Sequence, residues 1–198
     1  MLRRVGSDFE VISNGVFLMD TRDGRSERLL VRAALDARPD ARSLLIGGLG
    51  VGFSLREAVA DVTLTRIDVV EIEDAVVRWH RSHLAGLTGE ALADPRVAVI
   101  VADLADHLGH RVATYDVVCV DVDNGPTWTV TENNAALYDD RGTQAMLDTL
   151  RPGGVLAVWS AMPVPDYEQR FRNLGCDVVL RTVDVRRGEP DVIYLARP

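Results

Sequence analysis

Along the chain the apolar pattern changes period several times. Residues 9–19 alternate loosely around Ser13-Asn14-Gly15, which predicts a β-hairpin. From residue 43 onward, short apolar runs take turns with segments of helical period. Strands are predicted over 43–47, 64–70, 97–101, 116–120 and 155–159. Helices are predicted over 26–35, 54–60, 74–84, 104–110, 138–150 and 166–174. Ser26 is the candidate N-cap of the first helix. Residues 176–185 and 191–195 flank Arg187-Gly188-Glu189-Pro190 and make a terminal hairpin. Alternating strands and helices predict an α/β fold, a doubly wound, mostly parallel sheet to which the closing hairpin adds one antiparallel strand. Residues 1–35 are read as an N-terminal hairpin with a leading helix and 36–198 as the wound domain, in one compact unit. Arg151-Pro152-Gly153-Gly154 is read as a turn, and 127–134 as a polar loop.

Gly48, Gly50 and Gly52 alternate between the first core strand and its helix. Such a turn lets backbone pass close to a ligand, and the helix start presents free N–H groups. Glu71 stands 19 residues after Gly52 at the end of the next strand, a spacing suited to ribose hydroxyls. A dinucleotide fingerprint needs a third glycine where this chain has Phe53. The G-x-G-x-G pattern fits a nucleoside with a short tail better than a pyrophosphate. Ligands of wound sheets bind at the carboxyl ends of the strands, which gathers 48–52, Glu71, Asp103 and 121–124 along one edge.

Composition narrows the classes. A net charge of −8 over 198 residues disfavours a nucleic-acid surface and is compatible with a cationic substrate. Cys119 and Cys176 show no metal or disulfide spacing, so a reducing cytoplasm is the expectation. No apolar stretch reaches membrane-spanning length, and the first eight residues lack the apolar run of a signal peptide. The pairs His80/His83 and His107/His110 stand at i,i+3 without a third ligand, so no metal is expected and they are read as exposed helix residues. Trp79 and Cys119 are read as core. Trp128 is read either as a cover for an acceptor pocket or as a packing anchor.

The chain resembles the spermidine/spermine synthase family of S-adenosyl-dependent, class I methyltransferase-like folds from Gly15 onward. The glycine segment through Leu55-Arg56-Glu57 resembles the family's I-G-G-G-D-G-G-x-L-R-E. Val70-Glu71-Ile72-Glu73 is similar to V-E-I-D, Asp94-Pro95-Arg96-Val97 with Asp103 to D-P-R-V and its following G-D, and Tyr115-Asp116-Val117-Val118 through Asp121 to Y-D-V-I-x-x-D. The resemblance implies that Gly48, Gly50 and Gly52 line the sulfonium and ribose, that Glu71 takes the ribose hydroxyls, and that Asp103 accepts from the adenine amino group. For both carboxylates the competing reading is a cap on the next helix. It further implies a small-molecule amine acceptor and, as in many members, a homodimer.

Two departures bear on the reaction. Where the family has an aspartate that reads the aminopropyl ammonium, this chain has Val51, and Asn124 stands where the family has its catalytic aspartate. An alkyl ammonium titrates near 10.4, so an amine nucleophile needs a base or a desolvated pocket. Asp121 and Asp123 are the candidate bases, with Asn124 and Trp128 as substrate-binding candidates. Without the Val51 position's carboxylate, methyl transfer from S-adenosylmethionine leads over aminopropyl transfer from its decarboxylated form. Arg22, Arg25, Arg28 and Arg56 are the cations available for a donor carboxylate. A homologue that binds a nucleoside without catalysis is the remaining alternative, and a nicotinamide oxidoreductase is disfavoured by Phe53.

Overall fold

A computed structural model describes every residue except 14, 110, 130, 131, 186 and 187. Asn14 of the first predicted turn, His110, part of the 127–134 loop and Arg187 of the last turn therefore lie outside the described residues. The described chain forms a three-stranded antiparallel sheet and a seven-stranded, mostly parallel one.

The small sheet holds β1 (Leu2–Val5), β2 (Asp8–Ser13) and β3 (Val16–Asp20) in that order. Its first strand adds to the hairpin expected from the sequence. Leu2-Arg3-Arg4-Val5 is short and polar, without an alternation to reveal it. The next element is α1 (Arg25–Ala37), whose N-cap is Gly24 rather than Ser26. Ser26 lies inside the first turn, buried, with its hydroxyl donating to Asp191. The helix packs on strands of the large sheet.

In the large sheet the strand order is β6-β5-β4-β7-β8-β10-β9. These are β4 (Ser43–Gly47), β5 (Arg66–Glu71), β6 (Val97–Val101), β7 (Tyr115–Val120), β8 (Leu150–Ser160), β9 (Asp177–Val183) and β10 (Asp191–Arg197). Only β10 runs against the rest, between β8 and β9. β4 and β7 are buried along their whole length, as strands covered on both faces must be. Successive residues feed opposite cores. Leu44, Ile46, Val117 and Cys119 face the layer of α1 and α2 (Phe53–Ala60). Leu45, Val118 and Val120 face the layer of α7 (Asp140–Asp148) and α8 (Pro165–Asn173).

Several boundaries differ from the sequence pattern. The predicted 74–84 helix stops as α3 (Asp74–His80), and a separate α4 (Ala85–Leu92) follows. Gly86 and Gly89 lower the helical propensity of that stretch, which hid it. α5 covers Leu104–Leu108, and a four-residue α6, Glu132–Ala135, interrupts the polar loop. The expected turn at 151–154 lies within β8, where the register against β7 shifts and Gly153 takes φ +73°. The histidines correct the expectation of exposure. His80 is fully buried and His107 nearly so, hydrogen-bonded to the Tyr115 hydroxyl at 3.2 Å, while His83 is exposed. No helix among the described residues is long and apolar enough to cross a membrane.

Candidate functional site

Strand order reverses between β4 and β7, and the glycine turn sits above that point. Its backbone is stitched to both neighbours: the Gly48 N–H donates to Val70 O (2.8 Å) and the Asp121 N–H to Gly47 O (2.8 Å). Gly48, Gly50 and Gly52 all have positive φ, at +95°, +51° and +88°. The space a Cβ would need is taken by the protein itself. It would lie 2.2 Å from the Asp121 carbonyl oxygen at Gly48, 2.6 Å from Met19 Sδ at Gly50 and 2.3 Å from Thr88 Cγ2 at Gly52. The glycines are required for close packing of the chain on itself, which in turn shapes the cavity above.

That cavity holds about 440 Å³. Gly48, Gly50, Glu71, Asp103, Asp121 and Asp123 border it. Val11, Ile12, Leu18 and Met19 of the small sheet and Trp79 of α3 supply apolar wall. Trp79, expected in the core, is half-buried: it packs against two apolar clusters and also borders the cavity. Gly52 lies outside the lining and serves as the left-handed N-cap of α2.

Glu71 is 92% buried by its 8% exposure, yet its carboxylate is well held. Oε2 accepts from the Leu49 N–H and Oε1 from the Glu73 N–H, each at 2.9 Å. Burial pushes its pKa up, against those backbone donors. Asp103 caps α5: its Oδ1 accepts from the Ala105 N–H at 2.7 Å while the side chain borders the cavity. The capping and ligand-facing readings are thus compatible at Asp103, whereas Glu71 does not cap α3, whose N-cap is Glu73 without a side-chain cap bond.

A second cavity of about 210 Å³ adjoins the first, and Leu18, Met19, Asp121 and Asp123 border both. Asp20, Asp23, Glu27 and Asp191 make its remaining acidic wall, with Arg25 as the cation among the described residues and Phe17 and Trp159 as aromatics. Burial, then Glu27, Asp191 and Glu71, raises Asp121 well above the ordinary carboxylate range. Burial likewise raises Glu27 from 4.5 to about 7 and pushes Asp191 up. Asp123 sits at φ +55° and accepts from Asn134 Nδ2 at 2.7 Å. Asp121 and Asp123 are brought together with the glycine turn; Asn124 and Trp128 are not. Asn124 is buried and borders neither cavity. Its N–H bonds the Trp128 carbonyl, its own carbonyl takes the Ala161 N–H, and its Nδ2 has no hydrogen-bond partner among the described residues. Trp128 is half exposed and also borders neither.

The other sequence candidates are also located. Val51 is 1% exposed and packs with Val11, Phe53 and Leu84, beneath the small sheet. Arg22 pairs with Glu10 and Asp20, Arg25 pairs with Asp23, Arg28 stacks over Phe53 at 4.9 Å, and Arg56 is exposed. No arginine or histidine side chain borders the larger cavity among the described residues. Sequence reasoning missed Glu27 and Asp191. Glu27 reads as an ordinary acidic residue of a helix's first turn, and Asp191, in the last strand, carried no local signal.

The comparisons with known proteins agree with this architecture. A family model described as Spermine/spermidine synthase domain matches residues 25–170. The chain is 35% identical over 134 residues to polyamine aminopropyltransferase 2 of Pseudomonas aeruginosa, covering 66% of this chain and 36% of that protein. It is 31% identical over 144 residues to putrescine N-methyltransferase 3 of Nicotiana tabacum, covering 69% and 36%. The chain thus spans about a third of the length of these curated relatives. Among solved structures it superposes on spermidine synthase from Thermotoga maritima with a TM-score of 0.76, at 18% identity, over 95% of this chain and 65% of that one. Human methyltransferase-like protein 13, in complex with SAH, gives 0.61 at 20% identity over 86% and 75%. With the family model matched across β4 to β8 and the glycine turn, Glu71 and Asp121 within it, this chain belongs to the spermine/spermidine synthase domain family.

Proposed function

We propose that the chain moves a methyl group from S-adenosylmethionine to the nitrogen of a small amine. The observation that carries this reading is the shared wall. Asp121 and Asp123 border both a large cavity at the glycine turn and a smaller acidic one beside it. A donor in the first and an acceptor in the second would meet across those two carboxylates, and positioning alone lowers the barrier of such a displacement.

The residues present fit a nucleoside donor. Glu71, held by two backbone N–H groups, would accept from ribose hydroxyls, at about 1.5–3 kcal/mol for charged hydrogen bonds. Asp103 would take the adenine amino group beside its capping role. In the step itself the amine lone pair forms the N–C bond as the carbon–sulfur bond breaks, and the sulfonium leaves as a neutral thioether. Before the attack the acceptor's ammonium gives one proton to a carboxylate of the acidic cavity, which frees that lone pair, and the methylated product carries the remaining positive charge. Asp121, Asp123, Glu27 and Asp191 first draw the cationic acceptor in. Asp121, which borders both cavities and whose pKa burial raises well above the ordinary carboxylate range, is then placed to receive the proton.

Val51 supports the methyl donor. At the position where the family reads an aminopropyl ammonium, this side chain is apolar and buried away from the cavity. One observation favours aminopropyl transfer as the second reading. Among the described residues the larger cavity offers five carboxylates and no arginine or histidine side chain to meet a donor carboxylate. The relatives' names include both transfers.

The test is mass spectrometry of a diamine incubated with the chain and either donor. A methyl increment from S-adenosylmethionine supports the reading, and an aminopropyl increment from the decarboxylated donor replaces it with the second. Donor binding by calorimetry with neither product leaves a nucleoside-binding homologue.

A further inference from the structure

Behind the glycine turn, on the side away from the cavity, lies a fully buried histidine that the transfer chemistry does not use. His80 closes α3, and its ring reaches two elements at once. Nε2 lies 2.9 Å from the Gly50 carbonyl oxygen, and Nδ1 is hydrogen-bonded to Thr88 Oγ1 on α4. A carbonyl only accepts, so Nε2 must carry the proton; in a neutral ring Nδ1 then accepts from the Thr88 hydroxyl, which also lies 3.3 Å from the Leu84 carbonyl oxygen. Burial lowers the His80 pKa, which keeps the ring neutral and in that tautomer. The same two side chains back Gly52, where a Cβ would stand 2.3 Å from Thr88 Cγ2 and 3.0 Å from His80 Cε1.

The peptide joining Gly50 to Val51 is planar. Holding its carbonyl toward His80 turns the Val51 N–H to the opposite side. That one contact therefore fixes the orientation of a peptide in the middle of the turn, next to Gly50, which borders the cavity. His80 itself borders neither cavity. We propose that His80, set by Thr88, is a positioning residue that holds the Gly50–Val51 peptide and thereby sets donor affinity without touching the donor. This rests on the reading of the larger cavity as the donor site.

The experiment pairs calorimetry of the full chain against S-adenosylmethionine and methylthioadenosine with NMR of the His80 ring nitrogens and amide exchange at Gly50 to Gly52. The wild-type ring shows the Nε2-protonated tautomer. His80→Ala weakens both nucleosides by about tenfold, the worth of one hydrogen bond, and speeds exchange in the turn. His80→Gln, whose amide N–H reaches toward the same carbonyl, restores most of the affinity. The acceptor KM stays unchanged in both. Should His80→Ala fail to fold, Thr88→Val keeps the shape of the side chain, removes the hydroxyl and weakens the nucleosides several-fold. Unchanged nucleoside affinity in the folded variants, or the Nδ1-protonated tautomer in the wild type, overturns the role of His80. Absence of nucleoside binding in the wild type overturns the donor reading first, and the two failures are told apart by that control.

Discussion

Replacing Glu27 by glutamine tests the electrostatics of the acidic cavity without changing its shape. Glu27 stands in the first turn of α1, facing Asp121 and Asp191 across the smaller cavity, and burial raises its pKa from 4.5 to about 7. The folded chain thus holds a proton that the unfolded chain releases between those two values. Stability from this group is fully present below about pH 4.5 and is lost as pH rises through about 7. The gap amounts to about 3 kcal/mol at most, at about 1.4 kcal/mol per pH unit. Glu27→Gln stays neutral throughout and avoids that loss. Urea unfolding at pH 4.5 and pH 8 gives the comparison. The variant matches the wild type within about 0.5 kcal/mol at the lower pH and gains about 1–3 kcal/mol at the higher. The acceptor KM rises in the same variant, because a carboxylate that draws in the amine has been neutralised. Equal stability differences at both pH values, or a wild type that gains stability between them relative to the variant, would falsify the reasoning.

Three further outcomes follow from the geometry. Gly48→Ala forces a methyl group against the Asp121 carbonyl at φ +95°, so it destabilises by about 2–5 kcal/mol in thermal or urea unfolding, and a wild-type melting curve would contradict the packing described. Asp121→Asn leaves the fold intact by circular dichroism and lowers kcat by roughly 10²–10⁴-fold, while a kcat within twofold of the wild type would remove Asp121 from proton transfer. Val51→Asp places a charge in the cluster of Val11, Phe53 and Leu84, so it costs about 3–5 kcal/mol of stability and does not shift the chain toward the decarboxylated donor; a stable variant with that shift would mean the side chain reaches the cavity.

The wound core was legible because its signals are local. Leu44-Leu45-Ile46 and Val117-Val118-Cys119-Val120 are continuous apolar runs, and the turn between β4 and α2 is marked by its glycines. What was not legible depended on distant partners. His80 and His107 look like surface residues at helical spacing, and only Gly50, Thr88 and Tyr115, brought in by other elements, explain their burial. The acidic cavity joins Glu27 and Asp191 from opposite ends of the chain, held by the Ser26–Asp191 hydrogen bond across 165 positions. Asn124 was placed by the resemblance, at the position of the family's catalytic aspartate, and Trp128 by its nearness in sequence to Asp121. The loop instead turns at Gly125, φ +98°, against Ser160, which carries Asn124 into packing beside β8.

The position of β10 has a consequence for how the chain comes off the ribosome. This strand follows both of its partners in the chain, yet it lies inside the sheet, paired with β8 on one side and β9 on the other. Val192 through Ala196 are buried, and the Tyr194 hydroxyl accepts from the Val164 N–H at 2.6 Å, tying the strand to the start of α8. Until residues 191–197 emerge, β8 presents an unpaired apolar edge and β9 has no neighbour, so the nascent chain carries a sticky template. A translation pause before Asp191 would prolong that exposure, and chaperone engagement would track the pause rather than the stability of the finished fold.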